Sequence, residues 1–177
     1  MNALIKVSNS LAAANTGQEI QQYLTFMLGG EVFAIGILHI KEIIEYGQLT
    51  TVPMMPDFIR GVINLRGAVV PVVDLSSRFG GKPSQVTRRS CIIILELEAE
   101  EETQVIGVVV DAVNEVLEIA GADIEPPPRF GTKIRTDFIA GMGKVEDRFV
   151  ILLNADRVLS VEEMATLSAV TETTNQH

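Results

Sequence analysis

The chain has 177 residues and carries 14 Lys and Arg against 23 Asp and Glu, a net charge of -9. That acid excess argues against nucleic acid as a partner, because gripping a polyanion needs a basic face. A hydrophobic fraction of 47% supports a sizeable core, and with only 5% aromatics that core is built from Val, Ile and Leu, which favours strands over helices.

Residues 1 to 19 are small and polar, hold one Lys and no long apolar block, and are expected to form a loose arm rather than a signal peptide. From Gln21 the pattern changes. Tyr23, Thr25 and Met27 alternate with Leu24, Phe26 and Leu28, Gly29-Gly30 supplies a two-residue turn, and Val32 to Ile35 return as a partner strand. The stretch ILHIKEIIEY after it fits either a helical face through Ile37, Ile40 and Ile44 or a strand over Ile40 to Glu45; three closely spaced isoleucines favour a turn followed by a strand. His39, inside this stretch, reads as a half-buried strand residue. Pro53 and Pro56 then impose a loop.

Phe58 to Asp74, FIRGVINLRGAVVPVVD, predicts a β-hairpin around Asn64-Leu65-Arg66-Gly67. Asn64 starts the turn, Gly67 takes the positive φ that closes it, and Leu65 and Arg66 are expected at an exposed tip, a candidate contact surface. Pro71 inside the returning strand predicts an edge position or a bulge, since proline cannot donate to a ladder. Asp74 is placed to cap a short helix, LSSRF, ended by Gly80-Gly81. Between Arg60 and Arg89 six cations (Arg60, Arg66, Arg78, Lys82, Arg88, Arg89) stand against one anion, Asp74. Two readings stay open for this strip: ordinary surface scatter, which we favour, and a docking face for an acidic protein partner.

Near Arg88 the chain begins to repeat itself. Phe58-Ile59-Arg60-Gly61 returns 80 residues later (58 to 138) as Phe138-Ile139-Ala140-Gly141, and the match runs on without a gap through Val69 to Val73 on Phe149 to Leu153, Asp74 on Asn154, and LSSRF on ADRVL. Upstream, Ile40 to Ile44 matches Val113 to Leu117 at a spacing of 73 (40 to 113), the difference being absorbed by a longer loop holding Pro126, Pro127 and Pro128. Two halves of one topology are expected, each of about five short strands. Such units are too small to bury a large core alone, so two barrels packed on each other are the economical arrangement, spanning roughly 20–90 and 91–160 within an ordered domain of 20–168. Ser160 and Glu163 predict a capping box for a C-terminal helix to about Leu167, followed by a polar tail over 169–177. The acidic run Glu96, Glu98, Glu100, Glu101 and Glu102 reads as a solvated hairpin tip.

Catalytic chemistry is hard to assemble from these residues. Two histidines, His39 and His177, make no metal site; no G-x-S-x-G elbow occurs; and Gly141-Met142-Gly143-Lys144 has the wrong spacing for a phosphate loop, with Val145 where magnesium binding needs Ser or Thr. Cys91, the only cysteine, precludes an internal disulfide and begins the apolar run CIIIL, so burial is expected over reactivity, in a reducing compartment. No apolar run reaches membrane-spanning length. The reading is a cytoplasmic binding protein without enzymatic activity, cofactor or metal.

Several motifs in order, ILHIKEI, PDFIRGVINLRGAVVPVVDL, IGVVVDAVNEVL, the proline loop and FIAGMGKVEDRFVILLN, make roughly Glu19 to Leu167 resemble the CheW-type chemotaxis coupling proteins. The same fold serves as the regulatory domain of the chemotaxis histidine kinase and as the first domain of CheV-type adaptors; the chain length, with no kinase or receiver segment, favours the free-standing coupler. The resemblance implies an all-β fold of two intertwined SH3-like five-stranded barrels with short helices. It implies a non-catalytic adaptor bridging the cytoplasmic tip of transmembrane chemoreceptors and the regulatory domain of the histidine kinase CheA, cytoplasmic but recruited to membrane-associated arrays without inserting. The matching receptor-contact positions are Ile40, Glu42, Leu65, Arg66, Val113 and Val116, with Glu42 and Arg66 as a charged pair and Gly61, Gly67 and Gly141 as backbone-critical glycines near partner surfaces. For Ile40, Val113 and Val116, plain core packing stands level with contact. Competing readings are a small-ligand-binding β-barrel and a CheW-like module of another chemotaxis or pilus-motility system.

Overall fold

A computed structural model describes residues 19–99, 102–127 and 138–159 of the chain. The expected N-terminal arm, the helix after Ser160 and the polar tail lie outside them. The strands are β1 (Ile20–Leu28), β2 (Glu31–Gly36), β3 (Ile40–Glu45), β4 (Ile59–Leu65), β5 (Ala68–Asp74), β6 (Cys91–Ala99), β7 (Glu102–Val110), β8 (Ala112–Ala120), β9 (Ile124–Glu125), β10 (Ile139–Val145) and β11 (Arg148–Leu153). Two single-turn helices, α1 (Leu75–Arg78) and α2 (Ala155–Val158), follow β5 and β11, and one-turn 3-10 segments lie at Ile37–His39 and Gly121–Asp123. The expected all-β class holds. His39 ends a 3-10 turn rather than lying in a strand, because Ile37–His39 coil into a single turn, closed by the Ile40 N–H on the Ile37 carbonyl, before β3 begins.

Two sheets form, a six-stranded one in the order β8-β1-β2-β11-β10-β9 and a five-stranded one in the order β3-β6-β7-β5-β4. The repeat explains both. β1-β2 and β6-β7 are equivalent hairpins, and each is inserted between strands of the other half: β1-β2 between β8 and β11, β6-β7 between β3 and β5. The joint with the following strand is parallel in both cases, Ile151 opposite Phe33 and Val72 opposite Gly107. A cut between residues 90 and 91 therefore passes through both sheets. The short β9 adds a sixth strand to one sheet only.

Each sheet buries both faces. On β6, Ile93 and Leu95 enter a core shared by the two sheets, while Ile92 and Ile94 enter a second cluster with Val72 and Val109. That two-sided burial is why CIIIL shows no polar alternation. β11 splits in the same way, Leu153 to the shared core and Leu152 to a third cluster with Ala34, Ile119 and Val150. A row of rings crosses the shared core: Phe26 to Phe33 at 6.1 Å, Phe33 to Phe79 at 5.7 Å, and Phe79 to Phe138 at 5.9 Å between centroids. Arg78 lies over the rings of both Phe58 and Phe138, at 5.1 and 4.7 Å, and its Nε donates to the Val158 carbonyl at 2.9 Å. Phe58 and Phe138, and Arg78 and Val158, are equivalent positions of the two repeats, so α1 is joined to α2 through matching residues.

The Pro71 expectation needs correcting. β5 is internal, between β7 and β4, and the bulge near it falls on β4 between Ile59 and Gly61. The β5-β7 ladder starts at Val72, so the missing proline N–H falls one residue outside it.

Candidate protein-docking site

The β4-β5 turn and β3 build the site. Leu65 pairs with Ala68, so the two-residue loop is Arg66-Gly67, with φ of 53° and 88°. A tight hairpin matching the right-handed twist of its strands demands positive φ at both positions. The Gly67 N–H donates to Asn64 Oδ1 at 2.9 Å, which holds the turn from the side. The register therefore moves Leu65 off the tip: it is half-buried and packs with Val72 and Ile92, in contrast to the exposed leucine expected. The exposed apolar side chain here is Val69, opposite Asn64. Strand alternation on β5, Val70 inward and Val69 outward, was the available signal for it.

Arg66 reaches across to β3. Its Nη1 and Nη2 donate to Glu42 Oε2 and Oε1 at 2.5 and 3.3 Å, a two-pronged pair, with the arginine side chain 72% exposed and the glutamate 22%. The charged pair implied by the family likeness is thus present. Exposed pairs contribute only about 0 to 1 kcal/mol to stability, so this one holds a guanidinium in a fixed place more than it holds the fold.

Ile40 opens β3 and packs partly against the shared core, beside a cleft of about 450 Å³ that Leu38, Lys41, Glu96 and Asp156 also line. Val113 likewise packs on the shared core, whereas Val116 is half-exposed. A bulge in β8 lets these two, three residues apart, oppose Phe26 and Leu24, two apart on β1, and Thr25 Oγ1 closes it by donating to the Glu115 carbonyl at 2.8 Å. β3 and β8 are equivalent edge strands, one at the end of each sheet. The structure brings Glu42 to Arg66; Ile40 stands on one edge strand, Val113 and Val116 on the other.

The three glycines differ. A Cβ on Gly61, at φ 155°, would lie 2.5 Å from the Thr50 carbonyl oxygen, which is held by a two-way bridge to Val62. One on Gly141 would lie 2.6 Å from Ile124 Cγ2, and Gly67 faces open space but needs its positive φ. At the end of the hairpin away from the turn lies a knot of hydrogen bonds legible only in part from the residues: Asp74 caps α1 through Ser76 N–H (3.0 Å) and Ser77 N–H (3.3 Å), and is buried. Its carboxylate also accepts from Arg60 Nε (3.1 Å) and from the N–H and hydroxyl of Ser84 (2.9 and 3.0 Å). Nothing local to Arg60 or Ser84 marks them as its partners.

Among the described residues no group of three or more His, Cys, Asp or Glu is arranged to hold a metal ion, and no helix is long and apolar enough to cross a membrane. Burial, and next the facing Glu45 carboxylate, push the Cys91 thiol above its ordinary pKa. At neutral pH it stays protonated and a poor nucleophile.

The CheW-like domain family matches residues 22–163. Chemotaxis protein CheW of Klebsiella aerogenes is 38% identical over 165 residues, covering 93% of this chain and 95% of that protein, and the Rhizobium meliloti protein of the same name is 36% identical, covering 84% and 92%. The crystal structure of the scaffolding protein TtCheW from Thermoanaerobacter tengcongensis superposes with a TM-score of 0.72 at 36% identity, covering 81% of this chain and 90% of that one. By sequence and by fold, this chain belongs to the CheW-like family of chemotaxis scaffold proteins.

Proposed function

We propose that the chain is a non-catalytic adaptor that couples the cytoplasmic tip of transmembrane chemoreceptors to the regulatory domain of the histidine kinase CheA, in the cytoplasm at membrane-associated arrays. Family membership supports the scaffold role, and the Glu42–Arg66 pair carries the rest. An exposed arginine held by a glutamate on β3, at the other end of the strand order, and at a hairpin tip where it contributes little to stability, is a recognition feature. Ile40, Glu42, Leu65, Arg66, Val113 and Val116 are assigned to the receptor, the valines and Ile40 offering apolar surface to a helical hairpin and Leu65 supporting Arg66 from beneath. Gly61, Gly67 and Gly141 keep the two bulged hairpins in shape.

Small-ligand binding inside a barrel is less well supported, because the interior of each sheet is filled by side chains: Val72, Ile92, Ile94 and Val109 in one, Ala34, Ile119, Val150 and Leu152 in the other. Reconstitution tests the adaptor. Kinase autophosphorylation with receptor present is expected to rise on adding the chain and to stay at the kinase-alone level without it; equal rates in both would refute the coupling role.

A further inference from the structure

The basic strip of residues 60–89 separates in the structure into two sets. Arg60 is engaged by Asp74, Arg66 by Glu42, and Arg78 by the Val158 carbonyl and two phenylalanine rings. Lys82, Arg88 and Arg89 are exposed, and no ion pair is recorded for them among the described residues. All three line one cleft of about 740 Å³, open between the 82–89 loop and the β1-β2 turn, with Met27, Pro83 and Ala112 as its apolar wall. Its one carboxylate, Asp111, is occupied by the Gly29 N–H at 2.8 Å.

The loop carrying these cations is pinned along its length. Lys82 O accepts from Ser76 Oγ at 2.6 Å, Ser84 is tied to Asp74, Thr87 N–H donates to Ser90 Oγ at 2.8 Å, and Arg89 N–H to Thr87 Oγ1 at 3.1 Å. A loop ordered in advance loses little entropy on binding. The cleft has no aromatic side chain for a base to stack on, and the molecule's overall charge of -9 opposes a long nucleic acid.

We propose that this cleft docks an extended acidic segment of a partner protein, its carboxylates on Lys82, Arg88 and Arg89 and an apolar side chain against Met27 and Pro83. The site shares no residue with the Glu42–Arg66 surface and does not depend on the receptor and kinase assignment. Fluorescence anisotropy on the full chain tests it, with a labelled peptide of about 12 residues alternating Asp and Glu around a central Leu as the probe. Binding is expected, weakening severalfold as salt rises from about 50 to about 200 mM. The combined Lys82→Glu, Arg88→Glu, Arg89→Glu variant should lose about tenfold or more in affinity, and Arg66→Glu should bind as the unaltered chain does. The corresponding triple alanine variant repeats the test without new carboxylates, so a folding defect in the first cannot decide it. Undiminished binding by a triple variant of unchanged circular dichroism and Tm would overturn the proposal. So would equal loss in Arg66→Glu, or equally tight binding of a single-stranded oligonucleotide or of inorganic phosphate.

Discussion

The β4-β5 and β10-β11 hairpins share one backbone design but carry different charges. Both carry a bulge at the same place, between Ile59 and Gly61 and between Ile139 and Gly141, and both turn on two residues of positive φ. In the first the turn is Arg66-Gly67, and Arg66 is paired with Glu42; in the second it is Glu146-Asp147, with φ of 46° and 66°, and the position matching Glu42 is Glu115. Acid against acid cannot reproduce the pair. At the ends of the hairpins away from the turns the contrast recurs, since Arg60 and Asp74 become Ala140 and Asn154, and the Asn154 side chain caps nothing. Duplication preserved the backbone, while the charges that fix a guanidinium at the tip and pin a basic loop exist in one copy only.

The largest effect that would sharpen this contrast is at the base of the hairpins. Asp74→Ala leaves Arg60 and four donors without their acceptor and is expected to cost about 3 kcal/mol, against under about 1 kcal/mol for Asn154→Ala, read from urea unfolding. Equal losses would mean the knot is not what distinguishes the copies. Next comes the bulge glycine. Gly61→Ala drives a methyl onto a bridged backbone carbonyl in a backbone region nearly reserved for glycine, and should cost about 2 to 4 kcal/mol. Gly141→Ala meets Ile124 Cγ2 and, at 3.1 Å, the Glu125 carbonyl oxygen, but without the positive φ of Gly61, so a smaller loss of about 1 to 2 kcal/mol is expected in the same assay. Smallest is the turn itself: Asp147→Gly relieves a positive φ and should stabilise by about 0.5 to 1 kcal/mol, while Gly67→Ala, facing open space, should lose about as much through backbone strain alone. A rise in Tm for Asp147→Gly and a fall for Gly67→Ala would confirm that both turns need the same backbone.

Much of this architecture was legible in the residues because its causes are local. Gly29-Gly30 announces its turn, Asp74 announces its helix cap, and an 80-residue echo predicts that β10, β11 and α2 retrace β4, β5 and α1. Hairpin exchange between the halves was not legible in the residues themselves; only the family likeness, with its intertwined barrels, implied it. β1-β2 presents the same alternation whichever sheet receives it, so the choice is made by long-range packing of Phe26 and Phe33 in the shared core. The tip lies one residue further along than the residues suggest for a definite reason: Gly67 alone signals a positive φ, whereas the twist of a two-residue hairpin requires it of Arg66 as well. At the site, the Glu42–Arg66 pair followed from the family likeness, but the division of the basic strip into engaged and exposed cations depends on Asp74, Glu42 and Val158, which are far from their partners along the chain or masked by ordinary neighbours.

The central claim is that Arg66, held by Glu42, serves recognition instead of folding. Binding of the purified chain to a receptor cytoplasmic fragment, measured for Arg66→Glu alongside its Tm, tests that most directly. Receptor binding reduced by about tenfold or more, with stability changed by under about 1 kcal/mol, is the predicted result. Full receptor binding by a well-folded Arg66→Glu protein would contradict it.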